Sequence, residues 1–294
     1  MTTVATILNR ASRQMLAGVV EERNKLATSI DSDDTAVVCT YDIGGFRTGS
    51  VFELGSEMFY VWDAQPSTKT LTVERGYLGT TAASHSSGAV LTLNPRFPRQ
   101  QMLDSVNADI DDLSSTANGL FRVVTVDLTY NGSDRQIDIT SSGTILELLD
   151  VRLRYLADDF PVIHSSRLQT GLPTADFPSG NTLVLDEPVM AGTLRVRYKA
   201  PFTRASSEAS DLTTNCFLPA TCDDIIEMGV VLRMMAGREI KRNFIEAQGD
   251  TRRPDEVPPG AVRDSVTNIQ RLRRERIIAE AGRLKAQYPI KFRK

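Results

Sequence analysis

Ser50-Val51-Phe52-Glu53-Leu54-Gly55-Ser56-Glu57-Met58-Phe59-Tyr60-Val61-Trp62 places two β-prone runs on either side of a Gly-Ser dipeptide. Such runs joined by two turn-forming residues predict an antiparallel hairpin. The period of two extends outward from it. Ala36-Val37-Val38-Cys39-Thr40-Tyr41 precedes the hairpin, and Thr70-Leu71-Thr72-Val73-Glu74 and Ala89-Val90-Leu91-Thr92-Leu93 follow it. About five short strands in roughly 60 residues predict a small β barrel or sandwich over residues 31–95.

A second β region predicts an antiparallel sandwich over 119–205. Arg122 to Tyr130 reads as a strand, Asn131-Gly132 as a hairpin turn and Gln136 to Ile139 as the returning strand. From Ile145 to Tyr155, Leu149, Val151, Leu153 and Tyr155 alternate with Asp150, Arg152 and Arg154. Thr182 to Leu185 and Thr193 to Tyr198 supply two further strands.

The flanking segments carry helical spacing. Val4, Ile7, Leu8, Ala11, Met15, Val19 and Leu26 predict an N-terminal helix over 1–30. Met102, Leu103, Val106, Ile110 and Leu113 predict a connecting helix over 96–118, stopped by Asn118-Gly119. Ile225, Met228, Gly229, Leu232, Met235, Ala236 and Ile240 line one face of a third helix. After a proline-containing loop, Val262, Val266, Ile269 and Leu272, then Ile277, Ala281, Leu284 and Tyr288, mark a last helix ended by Pro289. The expected fold class is α+β, a helical adaptor-like bundle with two inserted antiparallel β modules. Helices 1–30, 96–118 and 220–288 are expected to pack together, because each stripe alone is too thin to form a core. Residues 206–294 then form a C-terminal helical segment with a basic tail.

The composition bounds the function. The chain has 294 residues, 24% of them charged and 41% hydrophobic, with a net charge of −3. These values exclude a collagen, a wholly disordered chain and a disulfide-stapled miniprotein. No apolar run is long enough to span a membrane. Asn9, Arg10, Ser12, Arg13 and Gln14 interrupt Met1 to Val20, which therefore reads as lacking the continuous apolar core of a secretory signal. Cys39, Cys216 and Cys222 form no metal-ligand spacing and point to a reducing compartment. The near-neutral total conceals an asymmetry. Residues 252–294 hold 12 Lys/Arg against 5 Asp/Glu, a net +7, which leaves −10 on the remainder. Arginine makes up 27 of the 34 basic residues.

Catalytic patterns are sparse. His85 and His164 each stand alone in a β or loop context. Gly44 to Gly49 lacks the lysine and spacing of a phosphate loop and reads as a turn. Asp31, Asp33 and Asp34 lack the closing Glu of a calcium loop. Asp109, Asp111 and Asp112 read as the solvated side of a short helix. The chain is therefore expected to be no enzyme and to carry no catalytic residue, cofactor or metal. The basic tail says more. Arg271, Arg273, Arg274, Arg276, Arg283, Lys285 and Tyr288 lie on the last helix, and Lys291, Arg293 and Lys294 follow it. These ten residues are the expected partner-binding set. Arginine's bidentate fit to carboxylates favours an acidic protein surface, against a solvated face softened by Glu275 and Glu280. Nucleic acid is disfavoured by the acidic remainder and the lack of interleaved aromatics.

Two stretches resemble proteins of tailed-bacteriophage virions. Arg75-Gly76-x-x-Gly79-Thr80-x-Ala82-x-x-His85, after a Leu-Thr-Val strand, resembles a structural hairpin of small β modules in neck, tail and baseplate proteins. A helix at 225–243, a proline-interrupted loop and the run 273–289 resemble the end of head-to-tail connector proteins. The resemblance covers about residues 70–93 and 225–290. It implies a neck adaptor that assembles as a ring, commonly of twelve subunits. Its partners would be the portal protein and the tail or next neck ring, with DNA passing through the lumen and no membrane involved. Its place would be the virion neck, after assembly in the host cytoplasm. The alternatives are a tail or baseplate structural protein and a virion-associated hydrolase.

Overall fold

Thr3 caps the first helix by accepting a hydrogen bond from the Thr6 amide at 3.3 Å. That helix, α1 (Val4–Met15), buries Val4, Ile7, Leu8 and Ala11. The computed structural model describes residues 2–16, 20–139, 143–154, 161–187, 189–246 and 261–288, with side chains described outside 236–246, 261–263 and 265. The remaining elements in chain order are β1 (Arg23–Lys25), β2 (Ala36–Val38), β3 (Val51–Leu54), β4 (Glu57–Gln65), β5 (Thr70–Glu74), β6 (Val90–Leu93) and α2 (Arg99–Leu113). Then come β7 (Arg122–Tyr130), β8 (Gln136–Asp138), β9 (Glu147–Arg154), β10 (Ser166–Thr170), β11 (Asn181–Leu185), β12 (Gly192–Ala200), α3 (Asp223–Glu246) and α4 (Ala261–Gln287). Two compact units divide the chain, and neither is continuous. Unit 1 is Met1–Asp109, Ala205–Asp211 and Asp223–Arg271, and unit 2 is Ile110–Arg204, Leu212–Cys222 and Leu272–Lys294.

Unit 1 is built on a six-stranded antiparallel sheet in the order β1-β6-β3-β4-β5-β2. The sheet curls until its outer strands meet at a Leu26–Cys39 bridge. Ala27 N donates to Val38 O and Thr40 N to Lys25 O, both at 2.8 Å. Curling lets a single sheet bury its own apolar face. The β3–β4 hairpin turns at Gly55-Ser56, with Gly55 at φ +63. Its cross-strand partners Phe52 and Phe59 stack at 4.6 Å in the centre of the core. Leu26, Val37, Leu54, Val61, Leu71 and Leu91 close around them. α1 lies against α3, and the Ser12 hydroxyl reaches Met102 Sδ of α2 at 3.6 Å.

Unit 2 is a sandwich of two three-stranded antiparallel sheets, β7-β12-β9 and β10-β11-β8. One apolar cluster, including Leu128, Tyr130, Val151, Leu183, Leu194 and Val196, fills the space between them. From Leu272 onward α4 belongs to this unit and buries Ile277, Ala281 and Leu284.

The expectation of a helical bundle with inserted β modules is overturned. Among the described residues the molecule is mainly β, with twelve strands in three antiparallel sheets and four α-helices. The β modules are the body, because alternating strands supply two self-contained cores and the helices add only single stripes. The N-terminal helix ends at Met15, and Arg23 to Lys25 become a strand paired with β6. Buried Asn24 anchors that strand by accepting from Tyr41 N at 3.0 Å and donating to Asp42 O at 3.0 Å. Asn131-Gly132 is a turn, as expected, but not a ladder hairpin. β7 pairs with β12 and β8 with β11, so this turn carries the chain from one sheet to the other.

On α3 the buried apolar residues are Ile225, Ile226, Val230, Val231 and Met234. Of the expected face Ile225 and Gly229 are buried, Met228, Leu232 and Met235 are half-buried, and the side chains of Ala236 and Ile240 lie outside the described residues. Gly229 faces Asp109 of α2, a residue expected to be solvated and found buried. A Cβ at Gly229 would lie 2.2 Å from the Asp109 carboxylate. Gly229→Ala is therefore expected to destabilise the protein by about 1–3 kcal/mol through overpacking. That outweighs the helix-propensity gain of about 1 kcal/mol. Thermal unfolding checks this, and a rise in Tm would show that the helices do not meet here.

Candidate functional site

The Arg-Gly stretch folds around a carboxylate that follows the Gly55-Ser56 turn. Glu57 opens β4 with its side chain 1% exposed. Arg75 grips it with two bonds, Nε to Oε1 at 2.8 Å and Nη2 to Oε2 at 3.0 Å. His85 Nε2 lies 2.9 Å from Oε2, and the Gly76 and Ala83 amides donate at 3.2 and 3.1 Å. Arg75 also donates to the Asp31, Asp34 and Ala83 carbonyls, and its guanidinium lies 4.9 Å from the Phe59 ring centroid. Gly76, at φ +62, cannot take a Cβ, which would sit 2.9 Å from Thr80 O. The Thr80 hydroxyl accepts from Met58 N at 3.0 Å and donates to Tyr77 O at 2.9 Å.

Burial alone would push the Glu57 carboxyl up. The bonds from Arg75, His85, Ala83 and Gly76 outweigh it and hold the group below the ordinary carboxylate range. Both oxygens are committed to donors, an arrangement that fixes a loop rather than one poised to exchange a proton. The loop so fixed carries Leu78 at φ +56 and 74% exposed. A leucine in this left-handed region is strained by about 1–2 kcal/mol.

The ten residues expected to bind a partner separate by helix face. Arg273 bonds Asp112 at 3.1 Å, and Arg276 donates to Thr221 O at 3.0 Å. Arg283 bonds Glu280 at 2.8 Å, and the Tyr288 ring lies 6.2 Å from Phe121. These four point into unit 2 or pair along the helix. Arg271, Arg274 and Lys285 are exposed and have no ion pair among the described residues. Lys291, Arg293 and Lys294 lie outside the described residues. Elsewhere arginine is largely neutralised in place. On the outer face of β7-β12-β9, Arg195 holds Asp127 at 2.8 Å and Arg197 holds Asp150 at 2.8 Å. Asp111 pairs with Arg204 at 2.7 Å.

Other titratable groups are structural. The three cysteines are buried thiols, and burial pushes the Cys39 thiol up to about 11. Among the described residues no group of three His, Cys, Asp or Glu is placed to hold a metal, and no helix is long and apolar enough to cross a membrane. A groove of about 910 Å³ in unit 1 is lined by Asn9, Arg13, Glu53, Phe97 and Arg99 among others. Glu53 accepts from Arg99 N at 2.9 Å, at the first residue of α2. Desolvation dominates over that bond and raises the Glu53 carboxyl to about 7. The mixed charge of the groove singles out no one ligand class. No protein-family model matches the chain, and no curated protein matches it.

Two pH experiments check the two carboxylates, with the single tryptophan, Trp62, reporting on unit 1. Glu57 has a depressed folded value, so its contribution is full above the unfolded value of about 4.3 and is lost as pH falls through the folded one. Glu57→Gln is expected to destabilise by about 3–5 kcal/mol at neutral pH, leaving Arg75 buried without its partner. The gap from the parent should shrink in acid, and a gap constant down to acid unfolding contradicts the clasp. Glu53 has the opposite sign. Its contribution is full below about 4.3 and is lost as pH rises through about 7. Glu53→Gln should therefore gain about 3–4 kcal/mol on the parent between acid and pH 8.

Proposed function

We propose that this chain is a structural subunit of a tailed-phage virion, assembling as a neck ring between portal and tail through which DNA passes. The observation that carries the reading is the row of exposed cations on α4. Arg271, Arg274 and Lys285 face outward on a helix whose other side is seated by Ile277, Leu284 and Arg273. Presented on a seated helix, guanidinium groups meet carboxylates of a neighbour with little further ordering. The neighbour is the portal or an adjacent subunit. The likeness of Arg75 to His85 and of 273–289 to virion proteins supports the same reading.

The mechanism is assembly rather than bond chemistry. The two β units supply rigid bodies, and α4 supplies the charged contact. Outside residues 252–294 the chain is net −10, so a lumen lined by that surface would repel DNA phosphates and let the genome slide. The β-dominated body favours a second reading, a tail or baseplate component with the same mode of docking.

Negative-stain imaging of the protein alone and with purified portal tests the proposal. The parent is expected to form rings, alone or stacked on portal. The triple variant Arg271→Glu, Arg274→Glu, Lys285→Glu should lose this assembly while keeping its Tm, since none of the three is buried. Truncating the helix is a poorer test, because Ile277 and Leu284 are part of the core of unit 2. Rings from the reversed variant would remove α4 from the mechanism. Absence of rings with either partner, together with binding to tail proteins, would favour the second reading.

A further inference from the structure

Unit 1 presents an apolar tip that its own fold leaves uncovered. Trp62 is 54% exposed on β4 and Leu78 is 74% exposed on the clasped loop. The Tyr60 ring joins them, 4.7 Å from Trp62 and 5.3 Å from Tyr77. Arg75 and His85 grip Glu57 on either side of the Leu78 turn, so the tip sits on a fixed base. An exposed tryptophan and leucine flanking half-buried tyrosines on a rigid support have the make-up of an interface centre. The rim is acidic. Glu74 stands directly opposite Tyr60 across the β4–β5 ladder, and Asp63 follows Trp62. Both are exposed. The carbonyls of Asp31 and Asp34 bond Arg75, which brings the acidic segment 31–34 to the same loop. An exposed cation, Arg47, sits in the turn whose Gly49 lies beside the Tyr60 hydroxyl.

The exposed face of α4 is its complement. Ile278 is 62% exposed. At about 100° per residue, Arg271, Arg274, Ile278 and Lys285 fall within an arc of about 60°. Glu275 lies about 40° beyond that arc. The helix thus offers an apolar centre among cations, and the tip offers an apolar centre among carboxylates.

We infer that the Trp62–Leu78 tip of one copy docks on the Arg271–Arg274–Ile278–Lys285 stripe of a second copy of this chain. Leu78 and Trp62 meet Ile278, and Glu74 and Asp63 lie opposite the cations. The two patches differ, so the contact is head-to-tail. Every copy keeps one free patch of each kind, which propagates to a ring when the rotation closes and to a filament when it does not. Charge complementarity sets the register and makes the contact weaken with salt. The inference rests on the reading of the chain as a ring-forming subunit and names the contact that makes the ring.

Trp62 is the chain's single tryptophan, so the contact has its own reporter. Sedimentation and Trp62 emission are followed together in the full chain as concentration rises at low salt. Assembly should bring a blue shift and a loss of acrylamide quenching, both reversed by added salt. Leu78→Gly relieves the left-handed backbone, so it should keep or raise Tm while weakening assembly about tenfold or more. The decisive arm mixes two variants. Asp63→Lys/Glu74→Lys reverses the tip, and Arg274→Glu/Lys285→Glu reverses the stripe. Each alone should stay monomeric, and the mixture should assemble, because each reversed patch then finds a reversed partner. Assembly with unchanged Trp62 emission would overturn this contact and leave the ring reading standing. A mixture that stays monomeric would also overturn it. So would a chain that is monomeric alone at all concentrations and blue-shifts only with portal, which makes portal the occupant. Monomers under every condition, portal included, would overturn the contact and the ring reading together.

Discussion

A carboxylate taken out of water has to be met by enough donors to replace its hydration, and in unit 1 that demand falls on Glu57. Five donors answer it, and all four residues that supply them, Arg75, Gly76, Ala83 and His85, come from one loop. Meeting the demand therefore also decides the path of the chain between β5 and β6. The same arginine covers the Phe59 ring and ties down the Asp31–Asp34 carbonyls, so one ion pair joins the core of the curled sheet to two of its loops. The strained, outward-facing Leu78 persists because its neighbours on both sides are held in this way.

The strands were the legible part of the fold and the assembly of the helices was not. The Ser50–Trp62 hairpin could be read from residue types and its Gly55-Ser56 turn, because a two-residue turn fixes register locally. Asn131-Gly132 carries an equally strong turn signal, yet β7 and β8 enter different sheets. A turn dipeptide reverses the chain without naming the partner strand. The N-terminal helix was read too long because Leu26 keeps helical spacing with Val19. The partner strand β6 and the buried amide of Asn24 claim residues 23–25 for the sheet. Long helical stripes suggested a bundle, but the large apolar side chains that fill the cores sit mainly on strands.

On α4, the charge asymmetry marked the helix but not which of its arginines face solvent. Arg273 and Arg276 look like Arg271 and Arg274 in sequence. Only the seating of Ile277 and Leu284 separates the pair bonded to unit 2 from the exposed one. The i, i+4, i+7, i+11 spacing of Arg273, Ile277, Glu280 and Leu284 carried that signal. Of the α2 aspartates read as solvated, Asp111 is exposed in its pair with Arg204, half-buried Asp112 holds Arg273, and Asp109 is buried against Gly229. Glu57 was missed altogether, since a lone glutamate after a turn has no signature until its donors arrive from 18 to 28 residues away.

By itself the sequence determined the existence and type of most strands, the helical character of the four helices and the segregation of basic charge into the last of them. These are properties of neighbouring residues, set by steric preference and by spacing along the chain. Tertiary structure decided which strands pair, that the β units rather than the helices form the body, and which arginines remain outside. It also decided that a tryptophan on β4 and a leucine on the Arg-Gly loop would stand in the open. Each of these depends on groups far apart in the chain meeting in space, and burial free energy, which no local pattern encodes, selects among the possible meetings.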